Sequence, residues 1–96
     1  MSQISFKWDD QKNKTNIVKH KVSFNEAKSV FYDEKALLFF DEDHSGNEER
    51  YIILGISNSL RMLIVCHCYI ENKRIIRIIS ARKATRNESK YYMGEQ

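Results

Sequence analysis

The spacing of apolar residues changes character partway along the chain. Ile4, Phe6 and Trp8 alternate with Ser5 and Lys7, which predicts a short strand. Asp9 or Asp10 then stands ready to cap a helix running to about His20. Acidic residues at its start and Lys19 and His20 at its end suit the helix dipole. Only Ile17 and Val18 are apolar there, so this helix is weakly patterned. Ser23-Phe24-Asn25-Glu26 has the form of a capping box, in which Ser and Glu serve each other's orphan amides. Behind it Phe24, Ala27, Val30 and Phe31 share one helical face, giving a short amphipathic helix that ends near Tyr32-Asp33.

From residue 36 the helical spacing is lost. The segments 36–40, 50–57, 61–70 and 74–81 are rich in Ile, Leu, Val, Phe and Tyr and read as four strands. The links between them are short, which joins antiparallel neighbours, since a parallel crossover needs a dozen or more residues. Thr85-Arg86-Asn87-Glu88 is a second capping box and opens a C-terminal helix with Tyr91, Tyr92 and Met93 as its apolar members. The predicted order is β-α-α-β-β-β-β-α: an α+β domain with helices against one mainly antiparallel sheet.

At 96 residues the chain has room for one domain, spanning 1–96. Folding would bury roughly 65% of its unfolded surface, enough for a modest core. Hydrophobic residues are 42% and charged residues 30%, the balance of a soluble globule. No apolar run exceeds five residues, the length of Met62 to Cys66, which is far too short to span a bilayer. The stretch Met1 to Lys7 has no long apolar segment, so no secretory leader is expected. A multidomain enzyme, a membrane protein, a repeat array and a Rossmann oxidoreductase are excluded. Cys66 and Cys68 stand two apart on one strand, on the face of Met62 and Ile64, with no second pair to complete a zinc site. They read as reduced core residues, which suits a cytoplasmic address.

Charge sharpens the picture. Residues 1–50 carry eight Lys/Arg and ten Asp/Glu, whereas residues 51–96 carry eight Lys/Arg and three Glu. The segment Lys73 to Lys90 is densely basic, so one end of the molecule should attract phosphates; a solvated basic face without a ligand is the alternative. The stretch Asp41 to Gly46 resembles a calcium loop at first sight. Its twelfth position is Ile52, however, where a bidentate Glu is required, so a hydrated acidic loop is expected, held away from the phosphate-binding face by repulsion.

No Gly-rich phosphate loop, His-Glu-x-x-His or Gly-x-Ser-x-Gly motif is present. His67 lies on the strand face of Leu63, Val65 and Tyr69, where it is either a hydrogen-bonded structural residue or a proton carrier. The next strand carries Arg74, Arg77 and Arg82; Arg86, Tyr91 and Tyr92 follow. Arg with His or Tyr, and no carboxylate cluster, is equipment for metal-free phosphodiester chemistry. Arg holds phosphate bidentately, His or Tyr moves protons, and the RNA 2′-OH is the nucleophile. Arg77 and Arg82 have opposite parity on an ideal strand. Either a bulge lies between them, near Ser80, or they face different sides.

Several segments together resemble the BrnT toxin family. They are Phe6-Lys7-Trp8-Asp9, Asn16 through Lys19-His20, Val22 through Ala27, Val30-Phe31, His44-Ser45, Glu49-Arg50, Arg77 through Arg82, Ala84-Thr85-Arg86 and Glu88, in order over nearly the whole chain. The resemblance implies a ribonuclease toxin of a type II toxin–antitoxin pair with a RelE-like fold. It also implies a BrnA-like antitoxin partner that carries the DNA-binding part, so that DNA is met only through it, in a toxin–antitoxin hetero-oligomer. Lys19, His20, Arg77, Ser80, Arg82 and Arg86 stand at matching motif positions; His67 and Tyr91 fit the placement of a strand His and a final-helix aromatic. Two departures, Lys21 in place of a frequent Gly and Glu34 in place of a common Pro, predict a changed local backbone.

The expectation is therefore a cytoplasmic, metal-independent endoribonuclease that requires no cofactor and blocks translation by cutting RNA. Arg82 and Arg86 would bind the scissile phosphate with Arg77 in support, and His67 or Tyr91 would carry the proton. Lys19, His20 and Lys83 would hold the RNA backbone. His20 also suits a plain helix C-terminus, and Trp8 suits the core better than a base platform. The alternatives are a nucleic-acid-binding module without catalysis and a pure interaction protein whose basic face docks an acidic partner.

Overall fold

The computed structural model describes residues 4–94; residues 1–3, part of the N-terminal stretch inspected for a leader, and residues 95 and 96 lie outside it. The elements are β1 (Ser5–Lys7), α1 (Asp10–His20), α2 (Phe24–Ser29), β2 (Leu37–Phe40), β3 (Tyr51–Ile56), β4 (Met62–Ile70), β5 (Ile75–Lys83) and α3 (Arg86–Tyr92). Single 3-10 turns at Val30–Tyr32 and Glu42–His44 lie before and after β2.

The caps act where the side chains predict them, with one change. Asp9 accepts from the Lys12 amide, Ser23 from the Glu26 amide, and Thr85 and Glu88 close a full reciprocal box. At Ser23 the box is only half formed. The Glu26 carboxylate turns instead to Arg61 and to the Ser57 hydroxyl, 2.6 Å away, and joins α2 to the β3–β4 turn. Arg61 holds that carboxylate below its ordinary pKa, against the opposing effect of burial.

The strands form one sheet in the order β1-β5-β4-β3-β2. The meander predicted for the last four strands is its antiparallel part. The first strand corrects the expected pattern: β1 runs parallel to β5, with Phe6 opposite Ile76, so the sheet is mixed. Two helices and three strands separate β1 from β5 in the chain, ample length for a parallel return.

Alternation gives the sheet two unlike faces. On one, Ile53, Leu63, Val65, Ile76, Ile78 and Ala81 meet Val22, Phe24, Ala27 and Val30 from the helical segment to form the core. Phe6, Trp8 and Phe31 pack at its margin, as the core assignment of Trp8 requires. Burying such side chains is worth about 1.5–3 kcal/mol each. Gly55 lets β3 pass close under this layer: a Cβ there would stand 3.0 Å from Val30, Ala36 and Asp33. The other face carries Ile52, Leu54, Ile64, Cys66 and Cys68 and, among the described residues, is covered by the 41–49 loop and α3. The two cysteines are free and share this face, so they lie outside the helix-covered core. Burial pushes both thiols up in pKa.

Candidate functional site

A bulge in β5 builds the site. His67 pairs with Ile78 and Cys66 with Ser80, which leaves Ile79 as the extra residue. The bulge predicted near Ser80 is therefore centred one residue earlier. It restores parity, so Arg77, opposite Cys68, and Arg82, opposite Ile64, face the same open side. Beyond Arg77 the β1 pairing has ended, and Asn16 of α1 takes over. Its amide nitrogen donates to the carbonyls of Ala81 and Val22, both at 2.8 Å, and its oxygen accepts from the Ala81 amide at 3.1 Å. The buried Asn16 thus supplies β5 with a ladder partner just past the bulge.

On the open face Asp41, His44, Arg50, Cys66, Ser80 and Arg82 surround a cleft of about 180 Å³ floored by Ile52 and Ile64. His44 is solvent-exposed and its Nδ1 lies 3.0–3.1 Å from both oxygens of the buried Asp41 carboxylate. Its Nε2 carries no hydrogen bond among the described residues. Ser45 ties the turn shut, donating to the Asp41 carbonyl at 2.7 Å and accepting from the Arg50 amide at 2.9 Å. The Arg50 Nε is buried with no hydrogen-bond partner among the described residues.

Carboxylates hold the arginines. Glu88 takes Arg82 in a two-pronged pair, 2.8 Å on each prong, while also accepting from the Thr85 amide. That arrangement lowers Glu88 to a pKa of about 2, with the Arg82 hydrogen bonds as the largest cause, and raises Arg82. Glu48 accepts from Arg77 at 2.5 Å and lies 3.9 Å from Arg50. The acidic loop was expected to keep clear of the basic face. It folds onto that face instead, because opposite charges at this range attract more strongly than the loop's own carboxylates repel.

The remaining predicted residues divide between two places. Lys19 and His20 line a neighbouring cleft with Lys12 and Asn16, walled by Ile79 and Ser80, which also border the first cleft. A third hollow holds Lys7, Trp8, Lys12 and Arg77 beside the same Ile79. The bulge is thus the common wall of a basic path along β5. Arg86 is exposed at the start of α3, and Tyr91, 58% exposed, overhangs Phe39, Leu54 and Ile64. Lys83 points to the other face, where its charge is felt by Glu26.

His67 is not brought to this site. It is fully buried on the helix-covered face, edge-on to Phe31 and Tyr69, with Nε2 3.2 Å from the Tyr69 hydroxyl. Burial lowers its pKa to about 4, so it is neutral at physiological pH. A side chain buried there does not reach the open face.

Asp41, His44 and Arg50 were not among the predicted site residues. Parity held a usable signal: Asp41 continues the Leu37/Phe39 face of β2, and Arg50 the Ile52/Leu54 face of β3.

The architecture is that of a small α+β domain with a cationic cleft opened by a strand bulge. The family described as "Ribonuclease toxin, BrnT, of type II toxin-antitoxin system" matches residues 8–88, and the chain belongs to this family. A toxin of such a system has an antitoxin as partner. The crystal structure of the Brucella abortus ribonuclease toxin BrnT is similar in fold, with a TM-score of 0.67 and 23% identity; the alignment covers 88% of this chain and 100% of that one. No curated protein matches the chain. Among the described residues no helix is long and apolar enough to cross a membrane.

Proposed function

We propose that the chain is a metal-independent endoribonuclease of RelE-like type that arrests translation in the cytoplasm by cutting RNA, and that a BrnA-like antitoxin neutralises it. The observation that carries this reading is the open-face cleft, where a carboxylate-held His44 stands beside Arg50 and Arg82. A phosphate seated there would accept from the Arg50 and Arg82 guanidiniums that line it. With Nδ1–H donated to Asp41, His44 presents Nε2 as a base toward the RNA 2′-OH. The 2′-oxygen would pass its proton to His44 and attack phosphorus, the 5′-oxygen would leave as an alcohol with a proton taken from water, and a 2′,3′-cyclic phosphate would remain. The guanidiniums stabilise the charge that builds on the phosphoryl oxygens.

Arg77 supports the backbone of the RNA, and Lys19 and His20 extend the path beyond Ser80. Arg86 meets the chain at the start of α3. Lys83, on the far face, is assigned to the antitoxin side. Tyr91 overhangs the apolar end of the open face, so His44 takes the proton-carrying role for which His67 and Tyr91 were candidates. DNA is reached only through the antitoxin.

The test is cleavage of an end-labelled RNA by the purified protein, with and without EDTA, beside Arg82→Ala and Arg50→Ala. Cleavage that survives EDTA, leaves cyclic phosphate and collapses in both folded variants is the expected outcome. Binding that falls steeply with salt, with no new ends even when translating ribosomes are added, would replace the enzyme with a non-catalytic binder.

A further inference from the structure

Beside the His44–Arg82 cleft lies a second one of different chemistry. Phe39, Ile52, Leu54, Ile64, Glu88 and Tyr91 enclose about 340 Å³. Ile52 and Ile64 line both clefts, and the Arg82–Glu88 pair spans their boundary, with Arg82 in the first and Glu88 in the second. Two aromatic rings open into solvent here: Phe39 is 42% exposed and Tyr91 58%. The one charged group in the wall is incompletely used. Glu88 Oε1 accepts from Arg82 and from the Thr85 amide, whereas Oε2 accepts from Arg82 alone. A carboxylate oxygen has two lone-pair directions, so Oε2 keeps one free.

We infer that this cleft receives a nucleobase of the RNA whose phosphate occupies the neighbouring cleft. The inference rests on the ribonuclease reading above and adds a base-binding site to it. The base lies against the Tyr91 ring, the more exposed of the two, and donates a ring or exocyclic N–H to Glu88 Oε2. Single-stranded RNA is commonly read in this way, by splaying a base onto an aromatic side chain and bonding its edge. An apolar side chain from a protein partner would fill the same walls and leave the Glu88 acceptor unused. A base uses both, and a phosphate held one cleft away delivers it there. The Arg82–Glu88 pair then has two jobs: its arginine faces the phosphate and its carboxylate faces the base.

The experiment uses 2′-O-methyl dinucleotides, which bind but cannot be cut, beside the same compounds made abasic on one side or the other. Affinity is measured in low salt, and the Tyr91 and Phe39 ring signals are followed by NMR. The expected result is that one of the two abasic compounds binds about 5- to 150-fold more weakly than its parent, the factor equivalent to about 1–3 kcal/mol of base–aromatic stacking. Tyr91→Ala removes that difference, Tyr91→Phe retains it, and only compounds with the base shift the two rings. If intact and abasic compounds bind alike while Arg50→Ala still weakens both, the phosphate cleft stands and the base site is overturned. If nothing binds even in low salt, the ribonuclease reading fails first and the base site with it. If Tyr91→Ala leaves the dinucleotides untouched and weakens the antitoxin complex, the cleft belongs to the protein partner and the inference is wrong.

Discussion

The two faces of the sheet are made by the same strands and differ in nearly everything else. Toward the helices, β4 and β5 present Leu63, Val65, His67, Ile76, Ile78 and Ala81, all at most 4% exposed. On the opposite side the same strands present Ile64, Cys66, Cys68, Arg77, Ser80 and Arg82, of which only Ile64 and Cys68 are buried. A histidine on the first face is neutral by burial; the histidine beside the second, His44, is exposed and held by a carboxylate. The difference teaches that chemistry follows coverage. Where α1 and α2 remove water, a polar side chain survives only uncharged and hydrogen-bonded. Where a loop and one short helix cover the sheet, arginines keep their charge and pair with partly exposed carboxylates.

The largest expected effect tests that division directly. His44→Ala and Arg50→Ala each lower RNA cleavage by about 10²–10³-fold, the range for losing one acid–base group or one donor to the reacting charge. Both side chains are at least a third exposed, so the melting temperature should barely move. A variant that loses stability in proportion to activity would erase the distinction between the faces.

The next effect belongs to the covered face. His67 titrates at about 4 when folded against 6.5 ordinarily. The unfolded chain therefore takes up the proton first. Stability is full above pH 6.5 and falls by about 3 kcal/mol as pH drops to 4. His67→Phe should flatten that part of a stability-against-pH curve measured by urea unfolding, and should leave cleavage at neutral pH within a few-fold of the parent. Loss of cleavage in a folded His67→Phe protein would return the proton-carrying role to His67.

Glu88 gives a smaller signal at lower pH. Its folded pKa of about 2 lies below the ordinary 4.5, so its contribution is present above pH 4.5 and lost as pH falls toward 2. Because the pair is partly exposed, solvent screening reduces this to about 1 kcal/mol. Glu88→Gln should remove the step from a thermal-melting series across that range. Because α3 depends on this residue for its capping box, its helical signal should weaken as well.

Much of this was legible from alternation. The strand bodies followed from their apolar runs, and the opposite parity of Arg77 and Arg82 already required a bulge if both were to serve one site. Three features were not legible. The partner of β1 was hidden because three residues carry no mark of a parallel neighbour. The fate of His67 was hidden because β4 is apolar on both sides, and alternation says which residues share a face without saying which face the helices cover. The His44–Asp41 pair was hidden because a loop's geometry is set by what it touches, here Arg50 at its own end and Arg77 from a strand distant in sequence.

The smallest effect comes from a position that resemblance to the family had marked. Lys21 ends α1 with φ 61°, the left-handed conformation that glycine adopts freely, and its amide donates to the Ile17 carbonyl at 2.9 Å. An L-residue there costs about 1–2 kcal/mol, against which glycine's larger loss of chain entropy sets about 0.5–1. Lys21→Gly should therefore raise stability by about 0.5–1 kcal/mol, read as a higher urea midpoint at unchanged slope. The Lys21 carbonyl that receives Arg61 is kept, so the tie to the β3–β4 turn survives. Lys21 lines none of the open-face clefts, and cleavage should not change. A gain in stability with no gain or loss in activity is what two independently built faces require; a coupled change would mean that the end of α1 reaches the site through Asn16.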